Sequence, residues 1–460
     1  MIINFLCDKF CKDGTPNHNI IPISFDNTRN ESMPAAGTGF INYKSITETV
    51  SYNNDVISPH EIKFIRTKNA DVNEKNIYLI QLHADESGHP WPLLYIPRIV
   101  VKGVNLGYIT VVIASFYSSP MVPDKELFHN IIQRSLKSAG ITNWNNIVFL
   151  FSDFTWPNEF QNWLYTQDLY RNRARIHDVL DTSFHTRPYM GCYRTINYNM
   201  WEKCTISGLK FYNPTNIDLV NEYLAVKEKP YTFLMLNNNP KPHRFLMYKC
   251  LEQDNLLKDA MYSYRFNDSW NIHNNPYDLS EFRNLLTSDN LEISNFKSYL
   301  DNNKLIHYHE LVNDQVFGPA ENGYWDLTKN STYLNFEHTK NTYFSLLIES
   351  SPFKGQSQLT EKTYKLLYYG HPFIMWGPPN ALAELHNLGY KTFPFLFDES
   401  YDSMEPSLEK MFFIKNQIKQ YCGDNGRIKF SEKFSEIEEV LNHNRNLYLT
   451  KDHLEFWANL

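Results

Sequence analysis

The chain has 460 residues, too many for one ordinary hydrophobic core and suited to two domains of roughly 200 residues each. Its apolar content of 42%, with 15% aromatic residues, supports sizeable cores and excludes disorder as the main state. A net charge of -7 and a pI near 6.2 exclude a protein whose whole surface tracks nucleic acid, leaving only a local basic groove open.

Residues 1 to about 70 are rich in Asn, Ser, Thr and Pro with weak periodicity, and read as loops and short strands laid on a core. The apolar run at the N-terminus is short and broken by Asp8 and Lys9, so neither a signal peptide nor a membrane span is expected. The six cysteines are scattered, which suits a reducing, cytoplasmic setting. Apolar runs of buried-strand length follow at residues 77–82, 109–114 and 147–151, with a helical spacing of Leu127, Ile131, Ile132 and Leu136 between the last two, ending at Gly140. That is a β-α-β unit. Gly103 to Gly107 reads as a turn rather than a phosphate loop.

A new strand at 231–236 begins directly after Glu228-Lys-Pro230, which places the domain boundary there. Helix at 242–256, strand at 345–348, helix at 360–369, strand at 373–376, and helices at 380–387 and 405–421 follow, with a final helix over 450–459. Strands alternating with helices in both halves predict an α/β protein of two Rossmann-like domains, each with a mostly parallel sheet. The expected division is 1–228 for an N-terminal acceptor-binding domain and 229–440 for a C-terminal donor-binding domain. Residues 441–460 are expected to carry a C-terminal helix able to pack back on the first.

Ionisable residues gather at the turns of the second half, where the C-terminal ends of parallel strands collect ligands. Arg244 follows the strand at 231–236; Glu349 and Ser350 end the strand at 345–348; Thr360, Glu361 and Lys362 open a helix. Thr360 is also an ordinary N-cap and Glu361 an ordinary partner of the helix dipole. Arg244 has a plain reading as a solvent-facing first-turn residue, and His243 beside it reads as structural.

Taken in order and spacing, Asn237-Asn-Asn-Pro-Lys-Pro-His-Arg244, Phe344-Ser-Leu-Leu-Ile-Glu349, Thr360-Glu-Lys362 and Pro372 to Pro379 resemble the donor-binding half of alpha-1,3-fucosyltransferase-like and exostosin-like glycosyltransferases. The chain also resembles uncharacterised bacteriophage glycosyltransferase-like proteins. The resemblance spans roughly residues 231 to 403 and implies a GT-B fold, two Rossmann-like domains facing a cleft. It further implies a metal-independent transferase, using no cofactor beyond a GDP- or UDP-linked sugar. A phage-encoded enzyme of this kind works in the host cytoplasm. Arg244 and Lys362 would hold the diphosphate, Glu361 the ribose or Lys362, and Glu349 the donor sugar or its neighbours. Ser350 stands where the fucosyltransferase pattern has Asn, which leaves the sugar open.

Inverting transfer needs a general base, which in such enzymes lies in the N-terminal domain. Asp85, within His83-Ala-Asp-Glu-Ser-Gly-His89, and Asp153, after the strand ending at Phe151, are the candidates. Both also read as ordinary loop residues. No Asp-x-Asp element or paired Cys/His set suggests a metal. Glu399 and Asp402 read as a charged turn before a helix. The basic run Arg171-Asn-Arg-Ala-Arg-Ile-His177 reads as a solvated helix face or a phosphate contact, and the resemblance leaves the expected acceptor open between a saccharide and a hydroxymethylated base in phage DNA. The alternative class is a non-catalytic carbohydrate-binding or virion-associated protein with the same fold.

Overall fold

A computed structural model describes residues 1–7, 60–82, 96–115, 125–151, 156–171, 193–197, 202, 218–237, 241–264, 291–302, 334–350, 357–451 and 455–460. Chain contacts divide the molecule into two compact units: Met1–Ser207 with Gly355–Gln358 and Lys451–Leu460, and Gly208–Lys354 with Leu359–Thr450.

The first unit comprises β1 (Ile2–Cys7), β2 (Glu61–Arg66), β3 (Lys75–Leu82), α1 (Arg98–Leu106), β4 (Ile109–Ser115), α2 (Lys125–Ser138), β5 (Ile147–Phe151), α3 (Trp156–Arg171) and β6 (Arg194–Asn197). The strands form one parallel sheet in the order β2-β1-β3-β4-β5-β6. Near-continuous apolar strands such as β5 are the signature of a sheet covered on both faces. Ile80, Val111, Ile113 and Phe149 pack with Val100 and Val104 of α1, Ile132 and Leu136 of α2, and Phe160 of α3.

Two sequence readings need correction. The N-terminal residues are not laid on the core: β1 is an interior strand between β2 and β3, with Ile3, Phe5 and Leu6 fully buried. Gly103 is not in a turn but inside α1, where a Cβ would collide with the Ile109 side chain. Gly107 is the helix's left-handed cap at φ 88°.

The second unit contains α4 (Leu219–Ala225), β7 (Tyr231–Asn237), α5 (Pro242–Gln253), β8 (Ala260–Tyr264), α6 (Leu291–Asn302), α7 (Phe336–Lys340), β9 (Thr342–Ile348), α8 (Glu361–Tyr369), β10 (Phe373–Trp376), α9 (Ala381–Asn387), α10 (Leu408–Lys419), α11 (Gly423–Ser431) and α12 (Phe434–Thr450). Helix α4 groups with this unit because Tyr223 donates its hydroxyl to the Tyr343 carbonyl at 2.6 Å. The change of unit therefore falls before α4 rather than at Glu228. Where one last helix was expected, α12 ends at Thr450 and α13 (Glu455–Asn459) belongs to the first unit, with Trp457 against Phe5 at 5.3 Å.

The second sheet is parallel in the order β10-β9-β7-β8. All seven residues of β9 are buried, as a central strand requires. Phe233 and Phe344 stack at 6.1 Å, and Phe344 continues onto Phe397 and Phe430, giving this unit an aromatic core. Among the described residues no helix is long and apolar enough to cross a membrane.

Candidate functional site

The strand order fixes where a ligand crevice must lie. From β7 the chain runs through α5 to β8 on one side; from β9 it runs through α8 to β10 on the other. Right-handed crossovers in opposite directions put α5 and α8 on opposite faces. Their packing agrees, since α5 contacts α6 and α10 while α8 contacts α12. The topological switch point thus falls between the C-terminal ends of β7 and β9, with a helix N-terminus on each side.

Glu349 is the first residue past β9 and is fully buried. Its Oε1 accepts from the Thr360 amide at 3.0 Å and the Thr363 hydroxyl at 2.5 Å. Its Oε2 accepts from the Thr360 hydroxyl at 2.6 Å and the Ser350 amide at 3.2 Å. The carboxylate therefore bolts the start of α8 to the end of β9. Thr360 is the N-cap of α8, accepting from the Lys362 amide, and Gly370 closes the helix in the left-handed region at φ 65°.

Around this anchor the structure gathers cations. Lys362 Nζ donates to Ser350 Oγ at 2.9 Å, Glu361 Oε1 at 2.5 Å and Thr360 Oγ1 at 3.5 Å. Lys241 Nζ donates to the Ser350 carbonyl at 2.7 Å, and Arg244 Nη2 to the Ile348 carbonyl at 3.4 Å. Arg244 is buried rather than solvent-facing. His243 donates from Nε2 to the Glu349 carbonyl at 3.0 Å, and its ring meets Trp376 edge-on at 5.4 Å. Burial, with Arg244 and Lys241 beside it, holds the imidazole far below its usual range and therefore neutral. Burial pushes the Glu361 carboxyl up, but Lys362 and Lys365 override this and leave it below the usual range. Lys365 is pulled down to about 8 by burial and by Lys362, against the opposing pull of Glu361 and Glu349.

Arg244, Glu349, Ser350, Thr360, Glu361 and Lys362 thus converge on one strand end. Asp85 and Asp153 lie outside the described residues, a few positions past the ends of β3 and β5. Most of the basic run that begins at Arg171 also lies outside them. Asp402 caps α9 through the Leu382 and Ala383 amides, and Glu399 accepts from Thr392 and Phe393, so both carboxylates serve their own turns. No group of three or more His, Cys, Asp or Glu that could hold a metal occurs among the described residues.

Sequence reasoning missed Lys241, Lys365 and Lys410. Lys410, buried on α10, holds the turn after β10 by donating to the Gly377 and Met404 carbonyls at 3.0 and 3.1 Å. A signal for Lys241 was available. Helix α5 opens Lys241-Pro-His-Arg244 with no acidic first-turn residue and no side-chain cap, the reverse of what the helix dipole favours. Two further donors in the last rungs of this sheet, Asn237 Nδ2 and Trp376 Nε1, are buried with no acceptor among the described residues.

The fold is therefore an α/β pair of parallel-sheet units with a cation-rich switch point in the second. No protein-family model matches the sequence, and no curated protein does. Among solved structures the chain is similar to the trehalose-6-phosphate synthase OtsA, with TM-score 0.33 and 11% identity over 82% of this chain and 72% of that one. It is also similar to the alpha,alpha-trehalose 6-phosphate synthase of Burkholderia multivorans, with TM-score 0.32 and 7% identity over 81% and 69%. An E. coli structure described as bound with UDP-2-fluoro glucose gives TM-score 0.33 and 11% identity over 82% and 73%.

Proposed function

We propose that this chain is a glycosyltransferase of GT-B type that binds a nucleotide-sugar donor at the switch point of its second unit and transfers the sugar to an acceptor hydroxyl. The observation that carries the reading is the convergence of Lys241, Arg244, Lys362 and Lys365 on the end of β9, between the N-termini of α5 and α8. Parallel-sheet units bind ligands at such points, and helix N-termini with cationic side chains suit phosphate.

As the glycosidic bond breaks, negative charge grows on the departing diphosphate. Preorganised cations stabilise that charge without reorganisation, each worth about 3 kcal/mol, or roughly 10² to 10³ in rate. Arg244 offers a planar fork for phosphate oxygens and Lys241 a point charge at the uncapped start of α5. Glu361, ionised between Lys362 and Lys365, suits the hydroxyls of the donor ribose. Glu349, with four donors of its own chain on its carboxylate, positions α8 rather than touching the sugar. Asp85 or Asp153 would take the acceptor proton, giving inversion without a metal ion. The acceptor is a saccharide or a hydroxymethylated base of phage DNA.

The test is turnover with a panel of GDP- and UDP-sugars, read as release of the nucleoside diphosphate with and without saccharide or hydroxymethylated DNA acceptors. Glu361→Gln should depress turnover far more than it shifts the melting temperature. Binding of a nucleotide sugar with no turnover under any acceptor would favour the non-catalytic class. Equal losses of activity and stability would mean that α8 is capped here for structural reasons alone.

A further inference from the structure

We propose that Lys365 is a direct ligand of the donor's anionic group, the role that the sequence pattern assigns to Lys362. This inference rests on the donor-site reading above and deepens it. An ammonium has three N–H donors. Those of Lys362 are matched by three oxygens of its own chain: Ser350 Oγ, Glu361 Oε1 and Thr360 Oγ1. Lys362 thus ties the loop after β9 to the helix start, in series with Glu349.

Lys365 is placed differently. Helical spacing puts it on the same face as Glu361 and Lys362, while Thr363, Tyr364, Leu366, Leu367, Tyr368 and Tyr369 fill the buried face. It is half-buried, yet its Nζ makes no hydrogen bond or ion pair among the described residues. The charged groups that act on it are Glu361, Lys362 and Glu349. Both carboxylates are already engaged, Glu349 by four donors and Glu361 by Lys362. From α12, the helix packed on α8, Arg445 faces the Tyr368 ring at 5.7 Å. Its ammonium is held by no acceptor of its own chain among the described residues and is therefore free to donate to a phosphate oxygen. Lys365 also titrates at about 8, because burial and Lys362 outweigh the two carboxylates, so its charge is lost within the working range.

A lysine that contacts the anion gives binding a pH signature that a structural lysine does not. Apparent affinity follows the protonated fraction of Lys365 and falls about tenfold per pH unit above its midpoint. Arginine at this position stays charged throughout. The experiment is calorimetric titration of the whole chain with UDP, GDP and inorganic pyrophosphate at pH 7, 8 and 9, for wild type, Lys365→Arg and Lys365→Met. Circular dichroism confirms that each variant is folded.

Between pH 8 and 9 wild type should weaken by about fivefold relative to Lys365→Arg, while Lys365→Met binds at least tenfold more weakly than wild type at pH 7. Wild-type affinity in Lys365→Met, or an unchanged pH profile in Lys365→Arg, would overturn the assignment and leave the nucleotide reading standing. Binding of pyrophosphate but of neither nucleotide, with the stated profile, would keep Lys365 and overturn the nucleotide reading. No binding of any probe would overturn both.

Discussion

Glu349→Ala is the sharpest structural perturbation of the site. The carboxylate is fully buried and accepts from two backbone amides and two hydroxyls, at 2.5 to 3.2 Å. Hydroxyls can rotate toward other acceptors, but the Thr360 amide cannot, and a buried amide left without an acceptor costs about 1 to 3 kcal/mol. Loss of the charge-assisted bonds from the threonine hydroxyls brings the total to about 3 to 5 kcal/mol. At about 2 to 4 °C per kcal/mol for a domain of this size, the second unit should melt about 10 °C lower. Glu349→Gln keeps one acceptor oxygen and should lose roughly half as much. Thr360→Ala removes the N-cap together with one of the Glu349 bonds, and its loss should overlap that of Glu349→Ala rather than add to it. Thermal and urea unfolding of the three single variants and the Glu349→Ala, Thr360→Ala pair provide the assay. A Glu349→Ala loss below about 1 kcal/mol, or strict additivity with Thr360→Ala, would refute the anchor as drawn.

Two pH predictions follow from buried groups away from the site. Lys229 donates to the Tyr223 and Lys340 carbonyls at 2.8 and 2.9 Å, and burial, with Lys340 and Lys227 nearby, lowers it to about 7. Between that value and its ordinary 10.5 the unfolded chain holds the proton and the folded chain does not. The stability of wild type minus that of Lys229→Met should therefore rise with pH above 7, by up to about 1.4 kcal/mol per unit, and a flat difference in urea titrations at pH 7, 8 and 9 would contradict it. His371, buried between Ser345 and Thr342, is lowered to about 3 by burial. As pH falls below 6.5 the unfolded imidazole takes a proton that the folded one refuses, so stability is lost from 6.5 downward, and this slope should vanish in His371→Asn.

The elements that carry the site were largely legible in the sequence. Strands β7, β9 and β10 are mostly apolar runs, bounded by Pro230, Glu349, Pro372 and Gly377, and nothing in tertiary structure competes with that pattern. Helix α1 was not legible, because Gly103 and Gly107 punctuate it like a turn; Gly103 is there for close packing on Ile109 and only Gly107 ends the helix. Helix α11 opens Gly423-Asp-Asn-Gly426, again a turn signal overridden by packing. At the site, Glu349, Thr360, Glu361 and Lys362 stood out because they cluster at two adjacent turns. Their division of labour did not, since whether a carboxylate is saturated by amides and hydroxyls depends on a contact spanning the loop between β9 and α8. Lys365 was invisible for the same reason: on sequence it is one more polar residue on a helix face, and only the engagement of Lys362 distinguishes it.

Calorimetric titration of UDP and GDP into wild type and Arg244→Ala decides whether the second unit binds a nucleoside diphosphate. One site per chain is expected, with affinity reduced at least tenfold in an Arg244→Ala protein that remains folded. Absence of heat with either nucleotide at millimolar concentration, or equal binding by wild type and Arg244→Ala, would contradict it.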